Sequence, residues 1–136
     1  MRRRKLIEEL KRDEGVRFYP YRCSANKLTI GIGRNIEERG ISEDEAEYLL
    51  ENDLTMCIEE VESIFTWYYS LTSNRKRAII NMVFNLGLTK LLKFKKFIAA
   101  MEAHDYKEAG KEMLDSRWAK QVGNRADRLE QMIVNG

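Results

Sequence analysis

Apolar residues recur along most of this chain at helical spacing, with one interruption near the start. Leu6, Ile7 and Leu10 predict a helix over residues 2–12 that Gly15 ends, which puts Glu14 at its C-terminal edge. "RFYPY" (17–21) and "LTIGI" (28–32) read as two short strands, and "RCSANK" between them has turn composition. Pro20 implies an edge or irregular strand, while Gly31 and Gly33 suit a bend or the close approach of a ligand to the backbone. "SEDE" (42–45) is a capping box opening a long amphipathic helix with Ala46, Leu50, Leu54, Cys57, Val61 and Ile64 on one face. "WYYSLTS" (67–73) interrupts the helical pattern. Further helices are expected over 74–86, stopped by Gly87, then around Leu91, Phe94, Phe97, Ile98 and Met101, from "DYKE" (105–108) with Ala109 and Met113, and over 124–134. The sum is an α+β chain: a helical body with a small β element near the N-terminus. Two lobes would frame a cleft, where ligands bind.

The 136 residues favour a single domain able to bury one core without disulfide or metal staples. Hydrophobic residues at 43% and charged residues at 34% place it among globular proteins. A formal charge of +2 hides local clusters: Arg2–Lys5, Arg75–Arg77 and Lys93–Lys96 are basic, and residues 43–47 and 59–62 acidic. Such clusters are either solvated helix faces or a face drawn to a polyanion. No nucleic-acid recognition motif accompanies them, so no nucleic-acid partner is expected. Two cysteines are too few for a disulfide framework and point to free thiols in a reducing compartment. Cys57 fits an apolar helix stripe; Cys23 sits among polar residues, where that explanation fits less well. The basic N-terminus lacks an apolar h-region, so no secretory signal is expected, and no stretch reads as a bilayer span. His104, the single histidine, reads as a surface residue, and no metal cluster or cofactor motif stands out.

Glu14, Cys23 and Thr29 are the polar groups usable in chemistry. A carboxylic acid that keeps its proton near neutral pH can protonate a leaving oxygen, and the negative pole of a helix dipole at Glu14 would favour the protonated form. A second polar group across the cleft can activate a water, with about 6.5–9.5 Å between the two when a water must fit. Taken alone, a surface Glu, a chance Cys and a strand Thr account for the same residues.

The spacing carries more. Glu14, eight residues, Cys23, five residues and Thr29 resemble the Glu–Asp/Cys–Thr triad of phage-type lysozymes, glycoside hydrolase family 24. "DEG", "TIGIGR", "KRAIINMVFNLG" (76–87) and "SRWAKQVGNRADR" (116–128) resemble that family in order, over roughly residues 5–135. The resemblance implies one lysozyme-like domain over 1–136: a small antiparallel β lobe at about 14–45, a connecting helix at 42–64, and a helical lobe from 1–13 and 60–136. It implies a monomeric muramidase (an endolysin) that hydrolyses the β-1,4 bond between N-acetylmuramic acid and N-acetylglucosamine in peptidoglycan and lyses the host wall for phage release. Glu14 would be the general acid, with Cys23 and Thr29 on the attacking water and inversion the expected outcome; Cys23 stands where many relatives carry Asp. Gly33 and Asn85 would support the sugar groove. Arg125 matches an ion-pair partner of the catalytic Glu, or pins the lobes together. Trp118 fits a core position better than a sugar platform. The enzyme would be made in the host cytoplasm without a signal and reach the periplasm through a separate holin-type pore. The region around "NIEERG" (35–40) is shorter than in the largest members. A peptidoglycan-binding relative with weak catalysis is the alternative.

Overall fold

Local signals set most helix ends. In a computed structural model describing Met1–Gly136, α1 spans Arg3–Glu14, and the Gly15 amide donates to the Lys11 carbonyl at 2.9 Å to close it. Strands β1 (Arg17–Arg22), β2 (Leu28–Gly31) and β3 (Arg34–Asn35) form an antiparallel sheet in that order. The third strand was not expected; two residues are too few to show a periodic pattern. Tyr21 pairs with Thr29 and Arg22 with Leu28, but the register shifts between Arg17 and Tyr21. Pro20, which cannot donate to a ladder, lies in that irregular stretch. A one-turn helix, α2 (Ile36–Arg39), follows, capped by the Asn35 side chain accepting from the Glu38 amide.

The capping box is present: the Ser42 hydroxyl accepts from the Glu45 amide (3.1 Å) and the Glu45 carboxylate from the Ser42 amide (2.9 Å). It opens α3, Glu43–Ile64. Arg34 meets the same Glu45 carboxylate through two nitrogens, at 2.9 and 2.7 Å, and these donors hold that carboxyl down at a pKa of about 2, the Arg34 guanidinium first. The chain divides into two compact units, Met1–Tyr48 and Leu49–Gly136.

The second unit holds the core. After α3 come a 3-10 turn (Thr66–Ser70), α4 (Ser73–Leu86), α5 (Leu88–Leu91), α6 (Lys95–Glu102), α7 (Tyr106–Leu114), α8 (Arg117–Val122) and α9 (Asn124–Asn135). Where the pattern suggested one helix around residues 91–101 there are two, because Lys93 and Phe94 make tight bonds to the carbonyls three residues back and break the run. Ile64 stays 46% exposed, and Phe65, in extended backbone just past the helix, enters the core instead. Val61, Ile79, Met82, Val83, Phe97, Met101, Met113, Trp118, Leu129 and Ile133 are buried around it. Gly110 on α7 lets α9 approach: a Cβ there would lie 2.6 Å from Val134 Cγ2. Arg75 ties the start of α4 to the end of α9. Its Nε donates to the Ile133 carbonyl (2.7 Å), Nη2 donates to the Val134 carbonyl (3.2 Å), and the guanidinium stacks 3.6 Å from the Tyr106 ring centre. Part of the Arg75–Arg77 cluster thus serves as a helix cap. No helix is long and apolar enough to cross a membrane.

Candidate active site

The first unit holds four of the expected residues, Glu14, Cys23, Thr29 and Gly33. Glu14 is the last residue of α1 and is exposed. Its carboxyl lies over the backbone of Gly33: a Cβ built there would stand 3.0 Å from Oε2 and 3.1 Å from Cδ and Cγ. Gly33 also has φ +68°, a left-handed conformation that side chains rarely adopt. Contact and conformation together call for glycine here, and they fix where the Glu14 carboxyl rests.

Cys23 opens the hairpin turn. The Asn26 amide donates to the Cys23 carbonyl (2.8 Å) and the Cys23 amide to the Lys27 carbonyl (3.0 Å). Asn26 takes the left-handed position at φ 59° that closes such a turn, which asparagine tolerates better than most residues. The fold of this turn aims donors at the sulfur. The Lys27 amide, then the Ala25 amide, hold the Cys23 thiol below its ordinary pKa, against a smaller opposing effect of burial. A side chain accepting from the amide two residues on is the arrangement an Asx turn gives aspartate, so this turn can serve a thiolate or a carboxylate.

Thr29 is only 3% exposed, on β2 beside Tyr21. Its hydroxyl carries one proton and has two acceptors: the Lys27 carbonyl at 2.8 Å and the Cys23 sulfur. The carbonyl contact meets hydrogen-bond geometry, so the proton rests there and the oxygen lone pairs stay available to accept.

Asn85 and Arg125 belong to the second unit. Asn85 Oδ1 accepts from the indole nitrogen of Trp118 at 2.8 Å, and Trp118 is 3% exposed, a core residue as its position suggested. Arg125 Nε donates to Asn81 Oδ1 at 2.9 Å. Arg125 and Asn81, but not Asn85, line an apolar depression of about 470 Å³ with Leu54, Ile80 and Phe84. Cys57 packs against the core, where burial pushes its thiol pKa up. His104 is exposed, with Nδ1 3.3 Å from the Tyr106 hydroxyl.

Sequence reasoning missed Lys27, whose amide and carbonyl serve both Cys23 and Thr29, because main-chain roles leave no side-chain signature. It also missed Glu37, which accepts from Arg22 at 2.8 Å and from the Leu28 amide at 3.3 Å. An acidic residue among other charged residues does not announce its partner.

Residues 11–132 match the phage lysozyme family. Among individual proteins, the chain is 34% identical to a probable T4-type lysozyme of Dictyostelium discoideum, over 93% of this chain and 92% of that one. A second probable T4-type lysozyme of the same organism is 31% identical, over 96% and 94%. An endolysin of Acyrthosiphon pisum secondary endosymbiont phage 1 is 31% identical, over 85% and 80%. The first alignment runs over 156 positions against 136 residues here, so that relative carries insertions this chain lacks.

Proposed function

The chain belongs to the phage lysozyme family and is a glycoside hydrolase, and from that membership we propose that it cleaves the β-1,4 bond between N-acetylmuramic acid and N-acetylglucosamine in peptidoglycan, with Glu14, Cys23 and Thr29 carrying the chemistry. The single observation that carries the residue assignment is the hairpin turn, whose bonds to the Lys27 carbonyl from the Cys23 amide and the Thr29 hydroxyl bring Cys23 and Thr29 together within the same unit as the Glu14 carboxyl.

The steps follow from the groups. Glu14, in its acid form, gives its proton to the glycosidic oxygen as the bond to the anomeric carbon lengthens. Positive charge develops on the sugar ring. A water attacks from the opposite face and loses a proton to the Cys23 thiolate, giving a product of inverted configuration. The Thr29 oxygen, its own proton resting on the Lys27 carbonyl, accepts a hydrogen bond from that water and orients it. An ordinary thiol is mostly protonated at neutral pH and would be a poor base. The donors around Cys23 enlarge its thiolate fraction.

Clearing of a peptidoglycan suspension, with release of new reducing ends, tests the activity. Saturable binding without new reducing ends would leave a glycan-binding protein instead. Alkylation of Cys23 is expected to abolish turnover, while Cys23→Asp keeps much of it because the turn suits a carboxylate. The alkylation rate of Cys23, followed by peptide mass, should rise with pH around a midpoint below that of an ordinary thiol; Cys57 should lag behind it. Turnover unaffected by complete Cys23 alkylation would remove the sulfur from the mechanism.

Gly33→Ala tests the seat of the acid. The added methyl would press on the Glu14 carboxyl, and the backbone would be strained. The carboxyl must give by a few tenths of an ångström; since about 1 Å costs on the order of 100-fold in rate, a loss of roughly several-fold follows. The expected result is that loss in kcat with the rest of the fold intact by circular dichroism. Full activity in Gly33→Ala would mean that the carboxyl works from another position.

A further inference from the structure

We propose that Glu37 is a positioning residue for this reaction, gripping both legs of the hairpin that carries Cys23 and Thr29. The inference rests on the role assigned above to those two residues. Glu37 Oε1 accepts from Arg22 Nη1 at 2.8 Å and from the Leu28 amide at 3.3 Å, and Oε2 lies 3.6 Å from Lys27 Nζ. Arg22 immediately precedes Cys23, and Leu28 immediately precedes Thr29. Lys27, between them, supplies the carbonyl that takes both the Cys23 amide (3.0 Å) and the Thr29 proton (2.8 Å). One carboxylate therefore touches the residues that bracket every group in the turn.

The sheet alone is a weak holder. β3 has two residues, β1 is irregular before Tyr21, and only the pairs Tyr21–Thr29 and Arg22–Leu28 align the strands next to the turn. Ser24, Ala25 and Asn26 at the tip are exposed. Chemistry needs the base and the water-orienting oxygen held within about half an ångström, and a short ladder with an open tip does not supply that. Glu37 comes from a different element, α2, whose own start is fixed by the Asn35 cap. The bonds around it keep its carboxyl below the ordinary pKa, the Leu28 amide first, so it is ionised and a strong acceptor across the working range. Glu37 is 39% and Arg22 58% exposed in their side chains, and exposed pairs contribute little to folding. The grip thus holds geometry more than it holds the fold together, and the two effects separate by experiment.

Glu37→Ala and Glu37→Gln in the full chain provide the test, with kcat, KM, melting temperature and the pH profile of Cys23 alkylation read on each. Glu37→Ala is expected to lower kcat at least tenfold with KM within about twofold, to move the Cys23 alkylation midpoint up towards an ordinary thiol, and to leave melting nearly unchanged. Glu37→Gln, which keeps an acceptor oxygen without the charge, should fall between the two. An unchanged Cys23 profile in Glu37→Ala overturns the proposal, whatever happens to kcat. So does a loss of activity that tracks melting. Should the unmodified protein release no reducing ends, the muramidase assignment fails, while the alkylation profile still decides whether Glu37 holds the turn.

Discussion

Glu14→Gln is expected to reduce the rate of peptidoglycan clearing by roughly 100- to 10,000-fold, the range that a positioned general acid contributes. Glutamine keeps the shape of the side chain, its reach to the Gly33 backbone and its place as the last residue of α1. It removes only the transferable proton. Folding should not suffer: Glu14 is exposed, and losing a negative charge at the C-terminal end of a helix is, if anything, favourable. Circular dichroism and melting of the variant should match those of the unmodified protein while reducing ends cease to appear. Saturable retention on sacculi should persist, because the groups that touch sugar without transferring a proton are still there. A variant that clears peptidoglycan at the original rate would take Glu14 out of the mechanism.

Trp118→Ala is expected to be the most damaging of the stability changes, at about 3–5 kcal/mol, the range for truncating a large buried aromatic. The side chain is 3% exposed within the core of the second unit, and its indole nitrogen donates to Asn85 across from α8 to α4. Truncation removes apolar contact, opens a cavity and frees α8, a helix of six residues with little stability of its own. Trp118→Phe separates the contributions. It keeps most of the apolar volume and loses the bond to Asn85, an exposed residue whose side chain can turn to water, so about 1 kcal/mol is expected. Urea unfolding read on the whole chain gives both values. An alanine variant within 1 kcal/mol of the unmodified protein would show that the indole is not a core anchor.

Particular residues show how far the sequence could be read. Glu14 at the end of α1, the Ser42–Glu45 box and the stops at Gly15 and Gly87 were legible because each rests on bonds within four residues of chain, and the two main strands because strand-like composition is bounded by turn residues. β3 and α2 escaped notice because elements of two and four residues are too short for a period to repeat. The single helix expected around Leu91–Met101 failed at Leu92–Phe94, where apolar spacing continues and the backbone does not. In the candidate site, Cys23 and Thr29 were visible as residue types. What makes them usable was not, since the donors to the sulfur are main-chain amides of Lys27 and Ala25 that any residues could supply. Asn85 and Arg125 stood out on motif likeness alone, and the partners the structure gives them, Trp118 and Asn81, lie 33 and 44 positions away.

By itself, then, the sequence determined the helical periodicity, the caps, the α+β class, and through its ordered motifs the family to which the chain belongs. Tertiary structure alone decided which charge meets which: Arg34 on Glu45, Arg75 on the carbonyls that end α9, Glu37 on the two legs of the hairpin. It also decided that Phe65 and not Ile64 enters the core, and that Gly110 must have no side chain for α9 to pack. The reason is one of range. A cap or a period is satisfied by neighbours along the chain and leaves its mark in a few letters, whereas a hydrogen-bond partner or a close approach is chosen by distance in space, which no local pattern encodes.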